Sequence, residues 1–200
     1  VRFPRWTKER RVILRRLYGP DARGRRDASQ VFPVIPVNRR VPVPSHRTIS
    51  AARLRIAVAA SRFNDQITTR LVQGAVECLR HHGSRVSPSD VVWCPGAFEL
   101  PLVADQLARS SRWDAIICLG AVIRGETPHF EYVSAESARG IQDVALRRGV
   151  PVIFGVLTTN TERQARERAG GKHGNKGWDA ALAAIDMIEV LRSIRRRKRR

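Results

Sequence analysis

The sequence predicts an α/β fold: a parallel sheet of four strands between two layers of helices, a three-layer sandwich. Three observations carry this. Short apolar runs at residues 54–60, 91–94, 115–119 and 152–157 alternate with stretches of helical period. The runs are almost continuously apolar, as strands covered on both faces must be. Each polar cluster of chemical interest follows a strand: Ser61-Arg62-Phe63-Asn64 the first, Pro95 to Glu99 the second, Ala121 to His129 the third, and Thr158-Thr159-Asn160 the fourth. Open parallel sheets bind ligands beyond the carboxyl ends of their strands, and their crossovers are right-handed.

The helices follow in order. The first is expected over residues 65–82, with Ile67, Leu71, Ala75 and Leu79 on one face and Gly83 as its stop. The second covers 98–108, and Pro101 falls in its first turn, where proline is tolerated. The strand at 115–119 ends in a glycine-bearing turn, and a helix from 129 to 147 follows, stopped by Gly149. A short helix at 161–168 leads into a glycine-rich loop (Gly170, Gly171, Gly174, Gly177). The last helix runs from 178 to about 194, with Ala181, Ile185, Ile188 and Leu191 on one face.

Two hundred residues at 42% hydrophobic content suit one domain with tails. The net charge of +19 resembles a nucleic-acid signal until it is located. Residues 1–50 hold 13 Lys and Arg against 3 Asp and Glu, a net of +10. Residues 192–200 hold 7 basic residues and no acid, a net of +7. The domain between, 51–191, holds 17 basic and 15 acidic residues, a net of +2. The charge therefore describes two tails rather than the fold. Residues 1–50 scatter proline among arginine without period and are expected to be mostly disordered, although 31–44 has the composition of an extended edge segment. Three cysteines, Cys78, Cys94 and Cys118, sit in apolar stretches without metal spacing, which points to reduced core thiols and a cytoplasmic setting. No run approaches the ~20 apolar residues of a membrane span. The N-terminus shows no apolar block of a secretory signal; it is Arg-rich and poor in acids like a transit peptide, a reading disfavoured by its few serines and many prolines.

The segment Gly120-Ala-Val-Ile-Arg-Gly-Glu-Thr-Pro-His-Phe130 concentrates the chemistry. Thr127 stands where a helix needs a cap, and Pro128 suits the first helical position. The free N–H groups and positive dipole end of such a turn attract an anion. The same field opposes protonation of His129, which leaves a ring nitrogen free to accept a proton. An anion site beside a proton shuttle suits chemistry on a phosphorylated small molecule. The other histidines are weaker candidates: His81 and His82 complement a helix end, His46 lies in the tail, and His173 lies in the glycine-rich loop.

Five blocks now identify a resemblance: Arg62-Phe-Asn64, Pro95-Gly-Ala-Phe-Glu-Leu-Pro101, Gly120 to Val133, Phe154-Gly-Val-Leu-Thr-Thr-Asn160, and Arg168-Ala-Gly-Gly-Lys-His-Gly-Asn-Lys-Gly177. Over roughly residues 54–191 the chain resembles the lumazine synthase family of riboflavin biosynthesis. The resemblance implies a flavodoxin-like strand order. It implies condensation of 5-amino-6-(D-ribitylamino)uracil with 3,4-dihydroxy-2-butanone 4-phosphate to give 6,7-dimethyl-8-ribityllumazine, phosphate and water. Imine formation, phosphate elimination and ring closure need proton transfer and phosphate binding, but no metal and no cofactor. His129 is then the general acid/base. Phe63 stacks on the pyrimidine, and Asn64 binds the ribityl chain or ring edge. Ala97, Phe98 and Glu99 hold ribityl hydroxyls. Ala121, Val122 and Ile123 present backbone groups to the uracil edge. Phosphate falls to Gly125, Glu126 and Thr127, with Glu126 acting through its backbone, and to Arg168, whose planar fork matches phosphate oxygens. Asp179 is expected to pair with Arg168, and Lys176 is a further contact. Phe154 comes from a neighbouring subunit, so the resemblance implies a homo-oligomer: a pentamer, or pentamers stacked or closed into a shell. It also allows association with riboflavin synthase.

Cys94, where an aliphatic residue is commoner, and the bulky Trp178 depart from the family pattern without touching this chemistry. The tails depart further, and they raise a second reading, a shell that packages nucleic acid. A generic nucleotide-binding domain is disfavoured, because the chain has no GxGxxG and no phosphate-cradling lysine loop.

Overall fold

The computed structural model describes residues 50–197. The expected extension at 1–49, its segment at 31–44, His46 and the final three tail residues lie outside the described residues.

Four strands form one sheet: β1 (Ile56–Ser61), β2 (Val91–Cys94), β3 (Ala115–Ile123) and β4 (Val152–Thr159). Their order is β2-β1-β3-β4, all parallel, so the arrangement is flavodoxin-like as the sequence implies. Five helices connect and close the chain: α1 (Asp65–His81), α2 (Leu100–Arg109), α3 (His129–Arg148), α4 (Glu162–Arg168) and α5 (Lys176–Arg197). Alternation along the strands splits the core in two. Ile56, Val58, Ala60, Ile117 and Leu119 face α1 and α5, where Leu71, Leu79, Ala181 and Ile185 meet them. Ala57, Ala59, Ile116 and Cys118 face α2 and α3, where Leu100, Ala104, Ile141 and Val144 meet them. Burying a large aliphatic side chain of this kind contributes about 1.5–3 kcal/mol. Gly177 lets α5 approach α1 closely, since a Cβ there would overlap the Leu71 carbonyl. Gly83 and Gly149 stop their helices with φ of +88° and +63°.

Several boundaries differ from expectation, each for a tertiary reason. β1 begins at Ile56 rather than residue 54; Leu54 is core, but it precedes the pairing with β3. β3 does not end before Gly120. It continues to Ile123 because β4 pairs with it as far as Ile123 opposite Thr159. Gly120 therefore lies inside the strand, where a Cβ would come within 2.7 Å of Ser61 Oγ. The second helix opens as a 3-10 turn, Ala97–Glu99, before α2. The glycine-rich loop is a small antiparallel hairpin, β5 (Ala169–Gly171) with β6 (Gly174–Asn175). Helix α5 begins two residues earlier than expected and continues through Arg197, so the first part of the basic tail is helix.

Candidate active site

A cleft of about 590 Å³ opens at the carboxyl ends of β1, β2 and β3. After β1 the chain crosses the end of β2, with Arg62 N–H donating to Cys94 O (2.9 Å) and Phe63 N–H to Pro95 O (3.0 Å). This sets Phe63 at the cleft mouth with 71% of its surface exposed. Asn64 follows in the left-handed region, φ 59°, and turns the chain into α1. The 3-10 turn places Ala97, Phe98 and Glu99 on one wall, and Ala121, Val122 and Ile123 at the end of β3 form another. Gly125, Thr127 and His129 line the same space, with Phe130, Tyr132 and Val133 from the start of α3.

Two of the expected residues lie beside the lining of this cleft, and one expected cap is corrected. Asn64 does not line it; its left-handed backbone aims the amide at Ala121 O, to which Nδ2 donates at 2.8 Å. Glu126 is exposed and also falls outside the lining. Thr127 does not cap α3. Pro128 already has helical angles (φ −62°, ψ −1°) and occupies the cap position, and no side chain caps the helix. The first N–H groups of a helix have no intrahelical acceptors, so the uncapped start remains a donor site.

Arg124 organises this turn, a role that the sequence does not signal. Its Nε donates to Asn160 Oδ1 at 3.0 Å, its guanidinium lies 4.3 Å from the centre of the Phe130 ring, and Nη1 pairs with Glu131. Its backbone N–H donates to Thr159 O at 2.9 Å. The hydrogen bond from Arg124 holds the Glu131 carboxyl below its ordinary range. One side chain thus ties the end of β4 to the first turn of α3, on either side of the 125–128 turn. Tyr132, 67% exposed, is a second residue outside the sequence-based set, although an aromatic three residues from His129 shares its helix face.

The remaining predicted residues lie elsewhere. Phe154, Arg168, Lys176 and Asp179 line a second cleft, about 430 Å³, along the edge strand β4 and beside α5. The expected Arg168–Asp179 pair does not form. Asp179 Oδ2 accepts from Lys176 Nζ at 2.7 Å, one turn away on the same helix, and Arg168 Nη1 donates to Gln164 O at 3.1 Å. Arg168 at the end of α4 thereby meets a last-turn carbonyl, where a cation is favoured.

Among the described residues, no group of three or more His, Cys, Asp or Glu is placed to hold a metal ion. All three cysteines are free and buried. Burial, helped by nearby Asp179 and Asp186, pushes the Cys78 thiol up to about 11, and burial raises Cys94 and Cys118 as well. None is a ready nucleophile.

With this geometry in place, two comparisons are informative. A sequence model of the 6,7-dimethyl-8-ribityllumazine synthase family matches residues 53–192. A 6,7-dimethyl-8-ribityllumazine synthase of Syntrophus aciditrophicus (strain SB) is 54% identical over 154 residues, which cover 77% of this chain and all of that protein.

Proposed function

The chain belongs to the 6,7-dimethyl-8-ribityllumazine synthase family, and we propose how its residues carry that reaction. It is a transferase of riboflavin biosynthesis, joining the ribitylaminouracil and the butanone phosphate into the lumazine. The observation that carries the site assignment is the convergence of Phe63, Phe98, Glu99, the last residues of β3 and His129 on one cleft.

The aminouracil lies in this cleft. Phe63 covers the ring, and backbone groups of Ala121 to Ile123 meet its polar edge. Asn64 anchors the Ala121 carbonyl through Nδ2, and its Oδ1 is the atom offered to the ribityl chain or ring edge. The Phe98–Glu99 wall receives the ribityl chain. The butanone phosphate places its phosphate at the 125–127 turn and the uncapped start of α3. His129 accepts a proton as the amine adds to the carbonyl. It returns a proton to the departing hydroxyl during imine formation, and it relays another as phosphate is eliminated and the ring closes.

Arg168 completes the phosphate site from another copy of the chain. Phe154 and Arg168 share the edge cleft rather than the His129 cleft, and β4 leaves one side unpaired. A head-to-tail ring, a pentamer or a multiple of pentamers, brings the edge cleft of one copy to the His129 cleft of the next. The free buried thiols fit a cytoplasmic home. No helix among the described residues is long and apolar enough to cross a membrane. Riboflavin synthase is a candidate partner.

Mixed oligomers test this assignment. His129→Ala and Arg168→Ala chains are co-assembled at equal amounts and assayed at low butanone phosphate, where each parent is nearly inactive. Sites shared between copies restore about one intact site in four by random neighbour choice. Activity no greater than the mean of the two parents would place His129 and Arg168 in the same chain's site.

A further inference from the structure

In a parallel α/β sheet the helices run back against the strands, so helix carboxyl ends gather at the pole opposite the ligand cleft. Here that pole is studded with arginine: Arg80 ends α1, Arg109 ends α2, Arg147 and Arg148 end α3, and Arg195, Arg196 and Arg197 end α5. Several of these have local work. Asp105 binds both Arg109 and Arg148, and Asp114 takes Arg55 and Arg192. Arg195 donates to the Gly149 carbonyl at 3.3 Å. A cation near a helix carboxyl end is what the dipole favours.

Helix α5 exceeds that need. Arg196 and Arg197 are exposed and have no carboxylate partner among the described residues. The sequence then continues Lys198-Arg199-Arg200. Successive helical residues turn by about 100°, so Arg195 to Arg197 spread charge over about 200° of the helix surface. A flat anionic surface meets only one face of such a cylinder. A duplex groove meets it from two sides, with a phosphate wall on each. The major groove of B-DNA is about 12 Å wide, and a helix with its side chains is about 10–12 Å across. The run is arginine-rich, which suits bidentate grip on phosphate oxygens. The exposed apolar residues of α5, Met187, Val190 and Ile194, lie before the run, and Arg195 to Arg197 themselves carry no apolar side chain.

We propose that the carboxyl end of α5, centred on Arg196 and Arg197, is a docking element for the phosphate backbone of duplex nucleic acid, at the pole away from the catalytic cleft. Recognition is by charge and groove width, without base reading. Each arginine–phosphate contact releases counterions, so affinity falls steeply with salt.

The test uses the full chain and an Arg196→Ala/Arg197→Ala variant, with a mixed-sequence 20-base-pair DNA duplex as probe. Titrations run from low to physiological salt. Lumazine formation by the variant is expected to match the parent, which certifies its fold. The slope of log Kd against log salt is expected to fall by about 0.9 for each phosphate that is no longer neutralised per bound chain, roughly 1.8 in all. An unchanged slope would overturn the proposal and move binding to residues 1–50. Absence of duplex binding by the parent would overturn it outright. Binding to phosphatidylserine vesicles that the duplex does not displace would also overturn it, in favour of a lipid surface.

Discussion

The two clefts of this chain are built on different principles. The cleft of His129 is assembled from the ends of three neighbouring strands, β1, β2 and β3, whose loops converge because the sheet aligns them. Its walls come from segments distant in sequence, and aromatic side chains of the same chain line it. The other cleft runs along β4, an edge strand, and exposes Phe154 with 41% of its surface. Strand ends in an open parallel sheet gather their loops into a crevice where ligands bind. A sheet edge presents unpaired backbone and half-covered side chains that await another surface. On the proposed reading the chemistry is divided by topology: His129 at the strand ends moves protons, and Arg168 at the edge adds charge to the phosphate site.

Three substitutions sharpen or break that division, from the largest effect to the smallest. His129→Ala should lower kcat by about 100-fold, the low end for a positioned proton shuttle, with KM for the aminouracil little changed. Steady-state rates from product absorbance decide it, and an unaltered kcat moves the acid/base role to another residue, His173 being the next to replace. Arg168→Ala removes a charge-assisted contact worth about 1.5–3 kcal/mol, and should raise KM for the butanone phosphate by roughly 10- to 100-fold. A rise confined to KM for the aminouracil would reverse the two subsites.

Glu131→Gln gives the smallest effect and probes the turn between the clefts. Arg124 holds the Glu131 carboxyl below its ordinary 4.5, so the folded state favours the ionised form. That contribution is complete above pH 4.5 and disappears as the pH falls through the lower folded value. The parent should melt slightly higher than Glu131→Gln at about pH 6, and the gap should close as the pH falls through the lowered folded value. Both side chains are well exposed, so the gap is small and shrinks with salt. A gap that persists unchanged at low pH would mean that shape rather than charge joins Glu131 to Arg124.

Much of this is legible in the residues. The four strands stand where the apolar runs predict them, and the chemical clusters follow them in the same order, since burial on both faces writes itself directly into composition. Phe63, the 97–99 wall, the end of β3 and His129 lie in one cleft for the same reason: each follows a strand, and parallel strands share an end. The corrections share a different cause. The backbone angle of Asn64 turns its amide nitrogen onto the Ala121 carbonyl, a contact that the sequence does not mark. The sequence offers Asp179 as the partner of Arg168, but Lys176 is nearer along its own helix. Arg124 goes unmarked because an arginine in a turn carries no signal of the ring, amide and carboxylate that surround it.

By itself the sequence determined the layers, the direction of the sheet and which segments reach the cleft, because hydrophobic period and strand–helix alternation are local properties that topology rules convert into a fold. Only the tertiary structure decided that β3 runs on past Gly120, that Arg124 binds the turn on both sides, and that Arg168 lies in a different cleft from His129. Those outcomes depend on which atoms of distant segments meet, and such distances are set when the layers pack.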